Sequence, residues 1–426
     1  MTPFSHFANR AKRSLQFRAR ALQRQLKNSL KAAYTTEPVK QVTVAETGAV
    51  VCTSKAELLQ STRDCTLRFA PGKKISHRSL HSVMPSPDCK NRGALERSLS
   101  EQDFQTPDIL FGRFYDCIAE PRTGRLLTPS SDLVLETSAI HDILDPDFVD
   151  SDHLVMKRQQ ICKVVRNYAV LDEDVLFAFN SFTPSYGHYL LTSLPVILAF
   201  EHEIKSGRLK LVVPASFPHW MRRHLGGFGL TDQHFIVLTD AAYRFRSAIV
   251  SNILDASNTR APNPRSLGFV ERLRPASLAP EGTRLYVRRS GEGDLSSRTI
   301  LNEGEVIAAL EALGFKIIEP GKMTLKEQAR TFSQAQLIVS PHGSTLANLL
   351  FCRPGAKVLD LMPDDWVGAR GDALRDVWGM RVCSVAGLEY SVLLCPSGIV
   401  ARHYTGNPKI TCTVPMPHLM SAIGQL

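Results

Sequence analysis

Apolar residues are distributed most regularly beyond residue 282. Short apolar runs at residues 285–287, 315–318, 337–339 and 358–361 alternate with segments whose apolar residues recur with a helical period. Strands that are apolar throughout, and that are separated by helices, are typical of a parallel sheet covered on both faces. This region therefore predicts a Rossmann-like α/β domain.

Two candidate capping boxes mark where helices of this domain begin. Asn302 is followed three residues later by Glu305, and Thr324 is followed at the same spacing by Glu327. In a capping box each side chain bonds the backbone N–H of the other residue. We therefore expect helices after Asn302 and Thr324, with Gly314 ending the first of them.

The earlier part of the chain predicts a second α/β domain of weaker pattern. Strand candidates precede and follow an apolar segment at residues 189–204, which predicts a helix despite Pro195. Residues 258–282 contain four prolines and predict an interdomain linker. The expected organisation is a basic helix over 1–36, an irregular connector over 37–110, a first α/β domain over 111–270 and a second over 271–426.

Composition narrows the class of protein. The chain has 426 residues, of which 43% are hydrophobic and 22% charged, which is typical of a globular protein. No apolar run approaches the ~18 residues of a membrane span, and no secretory signal is expected. The nine cysteines form no CxxC pair, and no His cluster has zinc-ligand spacing. We therefore expect free thiols, no metal and a cytoplasmic protein.

The positive charge is concentrated near the N-terminus. The formal net charge is +10, and eight Arg and Lys residues between positions 10 and 31 precede the first acidic residue, Glu37. Leucines recur among them at helical spacing, which predicts a basic amphipathic helix. Three interpretations are open: binding to an anionic membrane surface, packing on the protein's own core or on a partner, and an organelle transit peptide. The remainder is close to neutral, so nucleic acid is not an expected partner.

Candidate chemistry follows two strands of the second domain. Ligands of doubly wound sheets bind beyond the carboxyl ends of the strands, near helix N-termini. Arg288 and Arg289 follow the first strand, and His342, Gly343 and Ser344 follow the third. Amides near Gly343, the Ser344 hydroxyl and a forked guanidinium are suited to a diphosphate. The structural alternatives are an ion pair for Arg288 and a buried, hydrogen-bonded role for His342.

Further polar residues near these strands are Arg298, Asn302 and Asn348, together with two glutamates at helix starts. Glu327 is best explained by capping. Glu303 is either placed there by the helix dipole or contacts Arg298 or a sugar hydroxyl.

His188 is the candidate of the first domain. It follows Gly187 at a predicted strand-to-helix turn. A helix N-terminus favours the neutral imidazole, which can accept a proton. The alternative is a histidine that bonds local backbone groups.

Residues 187–191, together with Leu194-Pro195, resemble the GHW-x-x-D-x-LP element of glycosyltransferase family 61. The second domain resembles the same family over an ordered set of elements: Arg288-Arg289, Arg298-x-x-x-Asn302-Glu303-x-Glu305, Gly314-Phe315, Glu327-Gln328, Phe332-x-x-Ala335, Pro341-His342-Gly343-x-x-Leu346-x-Asn348, Phe351 and Pro354-Gly355. Thr192 stands where the family often has an acidic residue, and Tyr189 where it often has Trp. The resemblance covers roughly residues 175–365.

The resemblance implies a GT-B-like α/β fold, in which two Rossmann-like domains face each other across a cleft. It implies inverting transfer from a nucleotide-diphosphate donor, usually UDP-linked, to a hydroxyl, without a catalytic metal or other cofactor. Asp364-Asp365 is the nearest approach to a metal-binding carboxylate pair. Bacterial members build capsule or lipopolysaccharide, so a glycan or lipid-linked glycan acceptor is expected at the inner face of the membrane, near the basic helix at residues 10–31.

The resulting hypothesis assigns the donor diphosphate to Arg288, Arg298, Gly343 and Ser344, with Asn302, Glu303, His342 and Asn348 shaping the site. His188 would deprotonate the acceptor hydroxyl. Two alternatives stay open: another nucleotide-dependent enzyme on the same fold, and a non-catalytic glycan-binding protein.

Overall fold

The computed structural model describes residues 36–38, 41–46, 50–77, 89–101, 103–119, 125–130, 132–137, 154–157, 160–164, 168–180, 183, 185–214, 217–239, 242–255, 261–275, 282–289, 298–367, 378–402 and 408–426. The predicted basic helix at residues 10–31 lies outside these ranges. Within them, no helix has the length and apolar character needed to cross a membrane.

Two large sheets organise the chain, and the first has ten strands. In chain order they are β1 Gln41–Val42, β2 Val51–Cys52, β3 Cys65–Ala70, β4 Ile109–Ala119, β5 Leu126–Leu127, β6 Leu133–Val134, β7 Tyr168–Phe177, β8 Lys210–Val213, β9 Phe235–Val237 and β10 Ala242–Ser251. Their spatial order is β9-β8-β7-β10-β4-β5-β6-β1, with β3 paired to β4 and β2 to β3. The β9-β8-β7-β10 part is parallel, and β4 runs antiparallel to β10.

Seven α-helices are described between residues 55 and 271. They are α1 Lys55–Gln60, α2 Arg92–Leu99, α3 Tyr186–His188, α4 Leu194–Ala199, α5 Glu201–Lys205, α6 His219–Gly226 and α7 Pro264–Glu271. The predicted helix over 189–204 therefore exists, but a π-helical turn, Tyr189–Ser193, joins α3 to α4. Pro195 follows this turn at the start of α4. Proline has no N–H to continue the i→i−4 ladder, which accounts for an irregular turn here.

The described residues between 37 and 110, a stretch for which the sequence predicts an irregular connector, contain regular elements. Strand β3 pairs antiparallel with β4 inside the large sheet, and Leu58 of α1 and Leu95 of α2 are fully buried. The proline-rich stretch at 258–282 is likewise more than a linker, because it contains α7, whose Leu267 and Val270 are fully buried. The sequence did not predict these elements because their apolar runs are short. Each element becomes buried only through contacts with distant parts of the chain.

The second α/β unit has a five-stranded sheet that is parallel throughout. Its strands are β11 Thr283–Val287, β12 Phe315–Ile318, β13 Ala335–Pro341, β14 Lys357–Pro363 and β15 Glu389–Cys395, in the order β12-β11-β13-β14-β15. The chain moves from β11 to one side for β12 and to the other for β13. The carboxyl ends of β11 and β13 therefore form the topological switch point, where doubly wound sheets bind ligands.

The helices of this unit are α8 Glu303–Ala312, α9 Leu325–Ser333, α10 Trp378–Ala386 and α11 Met416–Gln425, with a 3-10 helix at Ser344–Phe351. Strand β13 is buried at six of its seven residues, as expected for a sheet covered on both faces. The predicted alternation of strands and helices in this part of the chain is confirmed.

The remaining described strands form three small sheets: Thr36–Pro38 with Gln160–Val164 and Leu154–Lys157, Lys74–Ser76 with Asp103–Gln105, and Arg298–Ile300 with Pro408–Cys412 and Ser397–Arg402. One cluster of buried apolar residues extends through both large units and includes Tyr189, Leu267 and Leu346. The two units therefore share a hydrophobic core beneath the region where their strands end.

One of the two predicted capping boxes is present. Thr324 Oγ1 accepts from the Glu327 backbone N–H at 3.3 Å, and Glu327 Oε2 accepts from the Thr324 N–H at 2.7 Å. Asn302 precedes α8 but makes no side-chain cap. Its side-chain oxygen instead accepts from the Val414 N–H at 2.9 Å, and its amide donates to the Val414 carbonyl at 2.9 Å. The box at Asn302 and Glu305 is therefore a wrong prediction, because a distant segment competes for the amide.

Thr324→Ala is expected to destabilise the protein by about 1 kcal/mol, since it removes a helix cap without disturbing the core. Urea unfolding followed by circular dichroism measures this change. Thr324→Ser keeps the hydroxyl and should retain most of the stability. An alanine variant as stable as the wild type would show that the cap contributes nothing.

Candidate active site

A cavity of about 340 Å³ lies between the two α/β units. The second unit contributes Arg288, Arg289, Pro320, Gly321, Met323, Gln328, Ser344 and Thr345, and the first unit contributes Tyr186, Trp220, Arg223 and His224. Three of these residues are arginines and none is acidic. A cavity with this lining favours an anionic ligand.

The position of the cavity follows from the strand order. Arg288 and Arg289 follow β11, Pro320 and Gly321 follow β12, and Ser344 and Thr345 follow β13. The carboxyl ends of three adjacent parallel strands thus meet here, at the switch point of the sheet. The prediction that the loops after the first and third strands come together is confirmed.

Arg289 is the cation most enclosed by this site. Burial lowers its pKa below the ordinary arginine value, with a smaller opposing effect from Glu303. Its Nη1 atom is buried and has no hydrogen-bond partner among the described residues. Leaving a buried charged donor unsatisfied is costly, and anionic oxygens are the ligands that best compensate it.

Gly343 makes room for this guanidinium. Its φ of +156° is one that residues with a side chain rarely adopt, and an added Cβ would lie 3.3 Å from Arg289 Nη1. Glycine therefore allows the backbone of the turn after β13 and the arginine after β11 to approach closely.

Arg288 has a different environment, although it is the next residue in the chain. Its side chain is 47% exposed, with Nε 3.6 Å from Glu303 Oε2 and Nη1 3.8 Å from Glu319 Oε1. The structural alternative considered for Arg288, an ion pair, is therefore present. Glu303 also accepts a hydrogen bond of 3.1 Å from the Tyr286 hydroxyl, which explains its place at the start of α8.

Two hydroxyl side chains of the turn after β13 line the cavity. Ser344 Oγ lies 3.2 Å from Ser185 Oγ of the first unit. Thr345 Oγ1 is buried and makes no hydrogen bond within the described part of the chain. Both hydroxyls are thus available beside Arg289 as donors to a ligand.

His342 belongs to a buried network behind the turn and does not line the cavity. Its Nδ1 lies 2.8 Å from Asp360 Oδ2, which also accepts from the Tyr390 hydroxyl at 2.6 Å. Burial, and then Asp360, raise the pKa of Tyr390 well above its ordinary value, so the phenol stays protonated and donates. The buried, hydrogen-bonded role considered for His342 is thus observed, immediately before Gly343.

Asn302 and Asn348, which were also assigned to the donor, do not line the cavity. Asn348 is fully buried and donates to Gln328 Oε1 at 2.9 Å, while Asn302 bonds the backbone of Val414. Arg298 begins a strand paired with Pro408–Cys412, and its side chain lies outside the described residues. Asn348 holds the lining residue Gln328 through its hydrogen bond. Asn302 connects the start of α8 to the segment before α11.

Sequence reasoning missed the wall that the first unit contributes. Trp220, Arg223 and His224 lie on one face of α6, because residues three and four apart are neighbours on a helix. Tyr186 completes this wall from α3. The sequence signal that could have indicated this wall is the spacing of Trp220, Arg223 and His224, which places them on one helix face soon after a parallel strand.

Tyr186 joins the two units through its hydroxyl. This group lies 2.7 Å from Gln328 Oε1 and 2.6 Å from Asn348 Oδ1, so its single proton is donated between two amide oxygens of the second unit. Burial raises the pKa of Tyr186 well above its ordinary value, and the group stays a donor.

His188 ends α3, two residues after Tyr186. Its side chain is half-buried, and its carbonyl accepts from Thr192 Oγ1 at 2.6 Å. His188 does not line the cavity. The acidic residue that the family often has four positions later is replaced here by this backbone-bonded threonine.

His224 is a buried histidine that does line the cavity. Burial, aided by the charge of Arg223, lowers the pKa of His224 to about 4. Tyr186, Tyr189 and Trp220 surround its ring, with centroids 5.4 to 6.3 Å away. At neutral pH the site therefore contains an uncharged imidazole.

This histidine predicts acid sensitivity. Unfolded histidine binds a proton near pH 6.5, whereas folded His224 does so only near pH 4. The unfolded state therefore binds more protons between these values, and stability is lost as the pH falls through that window, by about 3 kcal/mol. Urea unfolding at a series of pH values should show a smaller loss for His224→Gln than for the wild type. His202→Gln, at an exposed position on α5, is the control, and equal losses in all three proteins would contradict the assignment.

The carboxylate pair and the thiols have structural surroundings. Asp364 is buried, accepting from the Lys90 N–H at 2.9 Å and from Ser397 Oγ at 2.6 Å. In the ranges that the structure describes, no group of three or more metal-ligating side chains is found. The eight described cysteines are free, as the sequence predicts.

Comparison with known proteins identifies the domain that this cavity belongs to. Residues 186–359 match the family model described as glycosyltransferase 61, a range that begins at Tyr186 and includes α6, both arginines and the turn after β13. No curated protein matches the chain significantly. Residues 186–359 are therefore similar to a glycosyltransferase family 61 domain, and the activity that this family implies is the transfer of a sugar from a donor to an acceptor.

Proposed function

We propose that the protein is an inverting glycosyltransferase that moves a sugar from a UDP-linked donor to a hydroxyl of a glycan. The observation that carries this proposal is the guanidinium of Arg289 at the switch point, whose buried Nη1 has no hydrogen-bond partner among the described residues, in a lining without an acidic residue. A nucleotide diphosphate is the part of such a donor that requires this environment.

The diphosphate contacts are assigned to the loops after β11 and β13. Arg289 would bind phosphate oxygens, with Ser344, Thr345 and the backbone next to Gly343 as further donors. Arg288 would contribute a second positive charge, attenuated by Glu303 and Glu319. This assignment moves the principal role from Arg288 to its neighbour, because Arg289 is the more enclosed of the two and forms no ion pair with a carboxylate of the described residues.

The reaction would be a single displacement. A base removes the proton of the acceptor hydroxyl, the acceptor oxygen bonds the anomeric carbon, and the bond from that carbon to the diphosphate oxygen breaks. The electron pair of the broken bond remains on the departing UDP. Fixed donors around that developing charge supply the electrostatic stabilisation that usually dominates catalysis.

His188 is proposed as the base on its match to the family element, and it lies on α3 two residues after the lining residue Tyr186. His188→Ala is expected to slow transfer about 10²-fold while UDP affinity is retained. His202→Ala is the matched control on α5. Unchanged turnover would exclude His188 and direct attention to His224, the histidine in the lining.

The arrangement proposed is GT-B-like. In its support, the parallel strands of both units end near one cavity: Tyr186 follows β7 in the chain, α6 follows β8, and both arginines follow β11. The cellular role proposed is assembly of capsule or another surface polysaccharide at the inner face of the membrane. That role is supported by the family resemblance and by the basic sequence at residues 10–31.

Transfer and hydrolysis assays with a panel of nucleotide sugars test the proposal, alongside calorimetric titration with UDP and with NAD. We expect UDP to bind, NAD not to bind, and one UDP-sugar to be consumed. Binding of NAD alone would favour a different nucleotide-dependent enzyme. Binding of glycans without consumption of any donor would favour a non-catalytic protein.

A further inference from the structure

The proposed nucleotide-sugar donor explains the cavity wall formed by the second unit. It does not explain the wall formed by the first unit. The wall formed by α6 presents Trp220, Arg223 and His224 to the cavity from a single helix face. In a transferase, the group that lies opposite the donor loops is the acceptor. The chemistry of these three side chains therefore describes what the acceptor must carry.

Arg223 gives this wall a positive charge without an internal counter-ion. No carboxylate of the described residues forms an ion pair with Arg223. Its neighbour Arg222, on another face of the same helix, is paired with Asp232. The two adjacent arginines of α6 therefore differ in their partners. Arg222 is paired with Asp232, whereas Arg223, which has no carboxylate partner among the described residues, faces the cavity.

The charge balance of the cavity points the same way. A nucleotide diphosphate with one sugar carries about two negative charges, and it would face Arg289 and the attenuated charge of Arg288 on the loops after β11. Arg223 is then a third arginine in a lining that contains no acidic residue. Its exposed guanidinium on α6 is available to an anionic group of the acceptor.

Trp220 supplies a surface for a sugar ring. The indole is partly exposed, and it is held in position by Tyr186 and Tyr189, whose ring centroids lie 5.8 and 5.2 Å away. A rigid aromatic face packs well against the apolar C–H face of a pyranose. One helical turn separates Trp220 from Arg223, so a single sugar residue can reach both.

We propose, building on the function proposed above, that the acceptor is an anionic saccharide, whose ring packs on Trp220 and whose carboxylate or phosphate binds Arg223. The neutral imidazole of His224 lies beside them as a hydrogen-bonding group. Arg223 is therefore the residue that selects an acidic acceptor over a neutral one.

The test uses matched pairs of methyl glycosides that differ only at C6: glucoside against glucuronide, galactoside against galacturonide, and mannoside against mannuronide. The corresponding 6-phosphates separate phosphate from carboxylate recognition. Binding is measured by saturation-transfer NMR with UDP present and absent, and transfer is measured with whichever UDP-sugar the donor panel identifies.

We expect the wild type to prefer an acidic member of a pair by about tenfold or more, in line with a charged hydrogen bond. Arg223→Gln should remove that preference and leave UDP affinity unchanged, and Arg223→Lys should keep part of it. Arg222→Gln is the matched control and should retain the full preference.

Equal binding of acidic and neutral glycosides by the wild type would overturn the inference, as would an acidic preference that survives Arg223→Gln. Either result can occur while UDP-sugar turnover is normal, so it leaves the proposed transferase activity intact. Conversely, loss of the proposed activity would appear as failure to bind UDP, and the glycoside titrations would still decide the role of Arg223.

Discussion

Replacing Arg289 with alanine is expected to lower kcat/KM for sugar transfer about 10³-fold and to weaken UDP binding strongly. The guanidinium is buried at the switch point, and its Nη1 has no partner among the described residues. Removing a buried charged donor from a phosphate site costs about 4 kcal/mol when binding and charge stabilisation are both lost. Calorimetry with UDP and initial rates at several donor concentrations separate the two contributions.

Matched variants make this result specific. Arg288→Ala should have a smaller effect, because that side chain is half exposed and already lies near Glu303 and Glu319. Arg284→Ala removes an exposed arginine of the same strand and should leave activity unchanged. Arg289→Lys keeps the positive charge but lacks the paired N–H donors of a guanidinium. Its UDP affinity is therefore expected to lie between those of the wild type and Arg289→Ala. UDP affinity that is equal in wild type and Arg289→Ala would refute the diphosphate assignment.

The second large effect concerns stability. Asp360→Ala is expected to lower the free energy of unfolding by about 4 kcal/mol, since it leaves the Tyr390 hydroxyl and His342 Nδ1 without their buried partner. Urea unfolding monitored by fluorescence and circular dichroism measures the change. The same variant should bind UDP less tightly, because His342 immediately precedes Gly343 in the turn that meets Arg289.

Tyr390→Phe is the companion variant, and it should cost only about 1 kcal/mol because a single hydrogen bond is lost. If Asp360→Ala were as stable as the wild type, the network would have no structural role. Should Asp360→Ala fail to fold, Asp360→Asn keeps an acceptor for the tyrosine and yields a measurable intermediate value.

The secondary structure of the second unit was predictable because each of its elements is encoded by a pattern within its own residues. Each strand and helix there carries its own apolar period, and parallel connections fix the order of neighbouring strands within narrow limits. Strand Phe315–Ile318 matches the predicted residues in full. Thr324 and Glu327 are only three residues apart in the chain, so their mutual capping depends on no other segment.

The first unit was less predictable because its pairing is distant. Strand β3 acquires its partner β4 only about forty residues later in the chain, and α7 is buried although prolines surround it. Asn302 failed as a cap for the same reason, since Val414 competes for its amide. Local patterns do not report partners that arrive from far along the sequence.

The site was predictable to the level of loops and not of side chains. Both loops that hold the proposed diphosphate contacts were identified, yet Arg288 was preferred to Arg289. Where a strand ends, consecutive side chains turn to different sides, and one residue of register decides which arginine enters the cavity. The wall of α6 is indicated in the sequence only by the spacing of Trp220, Arg223 and His224, and this spacing becomes informative once the strand before it is placed.

The bridge from Tyr186 to Gln328 and Asn348 has a consequence for how substrates are accommodated. The fold itself anchors a wall residue of one unit to the other unit. The conformational entropy lost in ordering this part of the pocket is therefore lost during folding and not on substrate binding. The enzyme should then show little compaction in small-angle X-ray scattering when UDP is added, behaving as a preorganised receptor more than as a closing clamp.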